Sequence, residues 1–387
     1  MKWINLLHLY QPANMEREKV LEATEKSYER ILRALEEHPQ LHFTLNIAGC
    51  LLKRWDEEFK RQDLIARYRK LVHAGQIELT GSAAYHALLP LVSQAEAAWQ
   101  VDEQEKILHY YFGDKIKIKG FFPSELAINT SVLKLAARKK YQWIALDPAV
   151  AGDNFMSYSD SVFQLKNASL LGVFRNRDFS ETYVPKTMAT LINNNISESV
   201  VTISDAELYG LHYIDQSAEF EKVIKHRDLK TLTVSEYVQQ SKLLPAITLR
   251  AGSWQSTVEQ LAQAQPFLLW LDRNNRVHRQ LWTLVRYAEK MMLKYQNDAS
   301  LWWSRWHFVR GVASCVFWWA SQHDFRQVLG PLAWNPEEVE KGVNELIRAV
   351  RTLEKSTTIS EKLKAEKLAI VVKKTLWQTH WQLDVKS

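Results

Sequence analysis

Glu125, Asp205 and Glu207 are the residues whose types and placement could do chemistry. Glu125 lies in residues 120–126 (GFFPSEL), where an apolar run is stopped by Pro123 and a helix is expected to open near 129–131. Asp205 and Glu207 lie in residues 200–210 (VVTISDAELYG), where the run 200–203 ends in the same way. A carboxylate just past a strand end is how parallel α/β barrels present reactive groups. Two of them point to a two-carboxylate reaction, one acting as nucleophile and the other holding a proton. In retaining glycoside hydrolysis the two carboxyls stand roughly 5–5.5 Å apart. Burial, or a neighbouring carboxylate such as Glu207, would raise the pKa of the proton holder. Taken singly, each carboxylate also has a plainer reading as a helix cap or a lysine partner, the usual fate of surface Glu.

These residues need a frame that brings distant segments to one place. Strands are expected at 2–9, 41–45, 76–79, 116–122, 142–146, 200–203 and 230–234, with two short β runs at 161–165 and 170–174. Helical stretches at 15–37, 48–74, 94–112, 131–140, 185–193 and 218–225 alternate with them. Strand–helix–strand repetition implies parallel pairing with right-handed crossovers. Polar residues follow the strands: His8 and Gln11, Asn46, His86, Glu125, Asp147, Asp205 and Glu236. In a closed parallel barrel these ends share one mouth. A doubly wound open sheet is the alternative, but the Gly-rich phosphate loop it often carries is absent.

From about residue 268 the pattern is helical only. Val277, Leu281, Leu284, Val285, Ala288 and Met292 recur at helical spacing. Residues 301–321 read as one helix apolar on nearly all sides, with Trp302, Trp303, Trp306, Trp318 and Trp319. Asn335-Pro336 followed by two glutamates is a helix start. The expected fold class is α/β: a (β/α)7 barrel over residues 1–266, followed by a C-terminal α-helical bundle over 267–387 packed against the barrel mouth.

Composition narrows the function classes. The 387 residues suffice for a large core. The 15 Trp residues can fill a helical core or stack on sugar rings. The formal charge is +6, with 50 basic and 44 acidic side chains mixed along the chain, and no basic arm argues for nucleic acid. Cys50 and Cys315 are far apart and form no CxxC pair, which points to a reducing, cytoplasmic setting without structural zinc. The N-terminal run reads as a buried strand and not a signal peptide. No stretch reaches the length of a membrane span.

His8 and His86 have two readings, metal ligand or donor to sugar hydroxyls, and the second is favoured. Tyr10 stands where zinc-binding barrels of related design place an acidic residue two after the first His. The one HxxxH pair, His38 and His42, has Pro39 inside it and cannot share a helix face, so it reads as structural. No GxSxG elbow is present.

With these motifs in order, the chain resembles glycoside hydrolase family 57. HLYQP at 8–12, GQIELTGSAAYHALLPL at 75–91, GFFPSEL, SDAELYG and TVSEYV at 233–238 are similar to the family's five regions, and WLDRNNRVH and FWWAS look like its barrel-to-bundle elements. The chain departs from the usual pattern at Ala13, Ala87 and Phe122, and it is short for the family. The resemblance implies a seven-stranded (β/α) barrel with a helical C-terminal domain. It also implies a retaining enzyme acting on α-1,4-glucans or maltooligosaccharides, with Glu125 as nucleophile and Asp205 as acid/base. His8, Gln11 and His86 would bind sugar hydroxyls. Glu207 and His212 would support Asp205, and Trp254, Trp318 and Trp319 would offer stacking surfaces. No cofactor, metal, nucleic acid or membrane is implied. Hydrolysis, 4-α-glucan transfer and branching stay open, as does the oligomeric state. A non-catalytic glucan-binding protein is the alternative from another class, and a metal-dependent deacetylase or mannosidase is a second enzyme alternative.

Overall fold

The computed structural model describes residues 1–166, 168–194, 198–323, 333–353 and 358–384. The chain divides into two compact units, Met1–Trp254 and Gln255–Ser387.

The first unit is built on ten strands: β1 (Lys2–Leu9), β2 (Phe43–Ile47), β3 (Ile77–Gly81), β4 (Gly120–Phe121), β5 (Trp143–Leu146), β6 (Val162–Leu165), β7 (Leu171–Phe174), β8 (Ser199–Asp205), β9 (Lys230–Leu232) and β10 (Leu244–Ile247). Their order is β10-β6-β7-β5-β4-β3-β2-β1-β8. The seven strands β8, β1, β2, β3, β4, β5 and β7 pair in parallel from neighbour to neighbour. They form the curled wall of a (β/α)7 barrel. β6 runs antiparallel to β7, folding back on it as a hairpin, and β10 pairs in parallel with β6 at the outer edge.

The seven strands differ slightly from expectation. The segment 230–234 does not extend the wall; β9 pairs only with Lys2–Ile4 of β1, while Leu6–Leu9 pairs with β2. Leu171–Phe174, read as a loose β run, takes the seventh place. The run 116–122 pairs only at Gly120 and Phe121. Gly120 is required there because an added Cβ would sit 2.0 Å from the Trp143 ring.

Side chains on a strand alternate in direction, and on β1, β5, β7 and β8 the inward set is apolar at the base and polar at the top. Ile4 and Leu6 lead to His8, Val201 and Ile203 to Asp205, Ala145 to Asp147, and Val173 to Arg175. The apolar members join Phe122, Leu126, Trp143, Leu232, Val234 and Trp254 in one buried cluster that fills the barrel. The helix Val234–Gln240 closes its base. Ser235 there donates from its N–H (3.0 Å) and its hydroxyl to the half-buried Glu78 carboxylate, which also accepts from Thr44 Oγ1 at 3.0 Å.

The base also corrects one expectation. Glu236 does not belong to the mouth. It completes a capping box with Thr233 and lies 2.9 Å from Nδ1 of His42, the residue just before β2 and so at the opposite end of the wall. The strand before it pairs only at the base of β1, so its end cannot reach the top.

The ladder stops between β7 and β8, and that seam is joined by other bonds. Asn176 N–H donates to Val201 O at 2.7 Å, and Val201 N–H donates to the Asp160 carboxylate at 2.6 Å. Asn176 Nδ2 donates to the other Asp160 oxygen at 2.7 Å, and Ile203 N–H donates to Ser180 Oγ at 3.1 Å.

The second unit is helical, with helices Arg276–Lys294, Leu301–Gly311, Ser314–Trp318, Pro336–Arg351 and Ile359–Asp384. Asn335 caps its helix by accepting from Glu338 N–H, as its sequence implies. The run 301–321 is not one helix buried all round. It breaks after Gly311, whose missing Cβ leaves room for Leu346. Ser304 and Phe308 face inward, whereas Trp302 and Trp303 are 58% and 48% exposed. No helix among the described residues is long and apolar enough to cross a membrane.

Asp160→Ala would leave Val201 N–H buried without its acceptor. A loss of roughly 1–3 kcal/mol in unfolding free energy is expected, read from the urea midpoint; an unchanged midpoint would count against the seam's role.

Candidate active site

Glu125 sits in the turn that follows β4, in the left-handed region (φ 61°, ψ 19°). A non-glycine residue there costs on the order of 1–2 kcal/mol, so something must hold it. Trp254 does so twice. Its backbone N–H donates to Glu125 O at 3.1 Å and its indole Nε1–H donates to Oε2 at 2.8 Å. Two residues away, Ile128 and Gly252 exchange both backbone hydrogen bonds. The segment 250–254 is thus laced against the Glu125 turn, which local sequence does not announce.

His8 ends β1 and is paired in register with Asp205 at the end of β8, one strand spacing of about 4.8 Å away. His8 Nε2 is 2.9 Å from His86 Nε2, and His86 Nδ1 is 3.8 Å from Glu125 Oε1. Glu125 and Asp205 therefore flank one histidine pair. Tyr10 stacks on His86 with ring centres 3.9 Å apart, and Phe122 stacks on His8 at 4.7 Å. Burial holds His8 down at about 4, and burial together with the neighbouring His8 holds His86 well below its ordinary value. Both rings are neutral near neutral pH. Asn46 donates through Nδ2 to Thr80 Oγ1 at 3.0 Å, so its Oδ1 accepts from His8 Nδ1–H at 2.7 Å. His8 Nε2 then accepts from His86 Nε2–H, which leaves His86 Nδ1 as a lone pair toward Glu125. The Glu125 carboxylate accordingly draws no ion pair from His86.

Asp205 is partly open at the mouth and Glu207 is buried. Burial raises the Asp205 carboxyl, with the Arg175 charge pulling the other way. Glu207 is raised further, by burial first and then by the charge of Asp205. Tyr28 OH and Gln11 Nε2 (2.9 Å) both donate to Glu207 Oε1. Gln11 is thus engaged by Glu207. His212 returns a backbone N–H to Glu207 O at 2.8 Å, while its side chain is exposed.

Arg175, which the sequence does not single out, links much of the mouth. It is 3% exposed and donates to Asp147 Oδ2 at 2.6 Å, Ile203 O at 3.2 Å and Glu181 at 2.9 Å. Its guanidinium lies 5.5 Å from the centre of the Trp254 ring. Arg177 adds a second bond to the fully buried Asp147 at 3.2 Å. The alternation Val173–Arg175 on a barrel strand was the available signal. Trp318 and Trp319 belong to the second unit, half-buried at the end of the helix Ser314–Trp318. No group of three or more His, Cys, Asp or Glu suited to a metal occurs among the described residues.

Residues 3–249 match the model of glycosyl hydrolase family 57. The chain belongs to this family. An α-amylase of Pyrococcus abyssi is 23% identical over 293 residues, which cover 69% of this chain and 43% of that protein. The chain thus spans less than half the length of that relative. Among solved structures, a branching enzyme of this family from Pyrococcus horikoshii superposes with a TM-score of 0.72 at 16% identity, covering 95% of this chain and 94% of that one. The 4-α-glucanotransferase of Thermococcus litoralis gives 0.70 at 16% identity, covering 91% and 58%. The fold is therefore shared with solved enzymes of two named activities.

Arg175→Met would leave the buried Asp147 with Arg177 as its one charged partner, beside the Ala149 N–H. A loss of about 3–5 kcal/mol in stability is expected by guanidinium unfolding, with a smaller loss for Arg175→Lys; equal effects of the two would contradict the charge argument.

Proposed function

We propose that this chain is a retaining enzyme acting on α-1,4-linked glucans, with Glu125 as nucleophile and Asp205 as acid/base. The observation that carries this reading is the placement of the two carboxylates. They stand on either side of the neutral His8–His86 pair, one held by an indole N–H and the other in surroundings that favour its protonated form. The names of the similar enzymes support the substrate class.

Glu125 attacks the anomeric carbon as the glycosidic C–O bond breaks, and Asp205 passes its proton to the leaving oxygen. Asp205, now ionised, takes a proton from the incoming hydroxyl, whose oxygen displaces Glu125. His8, His86 and Gln11 are set around the sugar at the cleavage point. Glu207, held by Tyr28 and Gln11, stays protonated beside Asp205 and so adds no second negative charge. Trp254 orients Glu125, and Trp318 and Trp319 are stacking candidates. Water as acceptor gives α-amylase-like hydrolysis; a glucan hydroxyl gives 4-α-glucan transfer or branching. Cysteine usage supports a cytoplasmic setting.

Incubation with maltoheptaose, with products sized over time, tests this directly. Shorter products alone mean hydrolysis, and a ladder extending above the input means transfer. Glu125→Gln should abolish either while keeping the thermal midpoint. Binding without any product change would favour a non-catalytic glucan-binding protein.

A raised Asp205 pKa keeps its proton to higher pH, so activity is present below that pKa and is lost as pH rises through it. The alkaline limb of kcat/KM should lie well above 3.8. It should vanish for a glucosyl fluoride, whose leaving group needs no proton. A limb near 4, or one unchanged with the fluoride, would remove Asp205 from this role.

A further inference from the structure

The helix Ile359–Asp384 buries one face through Ala365, Ala369, Val372 and Leu376. Its outer face carries a second set of large apolar side chains. Trp377 and Trp381, one helical turn apart, lie with ring planes 27° from parallel and centres 6.2 Å apart. Trp381 is 58% exposed. With Ile370, Lys373, Lys374 and Gln378 they line an open hollow of about 450 Å³.

The hollow is pinned. Trp377 Nε1–H donates to Glu340 Oε2 at 2.9 Å, and Lys373 Nζ bonds the other Glu340 oxygen at 2.8 Å. His380 stands edge-on against Trp377 and is fixed by the indole N–H of the buried Trp334 at 3.1 Å. The polar edge of Trp377 is thereby used up behind the surface, and its ring is fixed. An indole held in this way loses little freedom on binding, which favours a ligand that presents flat apolar faces.

We propose that Trp377 and Trp381 form a second α-glucan binding platform, carried by the helical unit. A glucan offers C–H faces of successive sugars to the two rings and hydroxyl edges to Gln378 and Lys374. Glu340 neutralises Lys373, so the floor is apolar and weakly charged, which suits a neutral polymer. Pairing with a second copy would bring the exposed Lys364, Lys367 and Lys374 of two helices together, against like charge. The proposal rests on the α-glucan reading above and extends it: the helical unit holds the polymer on which the barrel acts.

The test is affinity electrophoresis of the full chain in native gels containing glycogen, beside turnover of maltoheptaose. The native chain and Glu125→Gln should both be retarded by glycogen. Trp381→Ala should lose roughly tenfold in glycogen affinity, Trp381→Tyr should restore most of it, and maltoheptaose turnover should be unchanged in both. Because Trp381 is exposed, an unaltered thermal midpoint is expected and is checked alongside. Native turnover without glycogen retardation, or equal retardation of Trp381→Ala, overturns the platform. A native chain inactive on maltoheptaose overturns the parent reading instead, and the gel still reads the platform. Retardation lost only as a shift in sedimentation coefficient, or binding to anionic vesicles but not glycogen, would assign the face to self-association or to a lipid surface and also overturns it.

Discussion

The hold of Trp254 on Glu125 is the constraint on which the barrel mouth depends. A glutamate in the left-handed region is unfavourable by itself, and the one turn bond across it, Leu126 N–H to Pro123 O, does not hold its carboxylate. The compensation comes from about 130 residues further along the chain. There a backbone N–H and an indole N–H of one residue fix both the main chain and the carboxylate of Glu125. The same indole lies near Arg175, which fixes Asp147 and places its charge toward Asp205. The two carboxylates are thus set by one connected group of side chains, and moving any member disturbs both.

Electrostatics at the mouth follow from the barrel's interior. On β1, β5, β7 and β8 the inward positions are apolar below the strand end, so the first polar residue on each meets little water. His8 and His86 lose their charge there, and the carboxyls of Asp205 and Glu207 are pushed up. Asp147 is buried with two arginines beside it, the arrangement a fully desolvated carboxylate requires. One environment therefore yields neutral imidazoles, raised carboxyls and one compensated ion pair, according to what each side chain finds as a neighbour.

Much of this was legible in the sequence. Alternating strands and helices gave the parallel barrel, and polar residues at strand ends gave His8, His86, Glu125 and Asp205. What escaped is non-local. Glu236 also follows a strand, but one that pairs at the base of β1, and pairing partners cannot be read from a single strand. Arg175 follows Val173 on a strand that looked too short and irregular to join the wall. The grip of residues 250–254 on the Glu125 turn joins segments with no shared pattern. In the helical unit, apolar composition at 301–321 suggested burial on all sides, whereas Trp302 and Trp303 point outward; composition counts apolar surface without saying which face is covered.

The central claim is that Glu125 carries the sugar between two steps that Asp205 serves as acid and then as base. Intact-mass and peptide-mapping measurement of Asp205→Ala treated with an α-maltosyl fluoride tests it most directly. Fluoride departs without a proton donor, and the missing base slows release. The account predicts a covalent glycosyl adduct mapped to Glu125. A protein that stays unlabelled while hydrolysing the fluoride, or a label on any other residue, would contradict it.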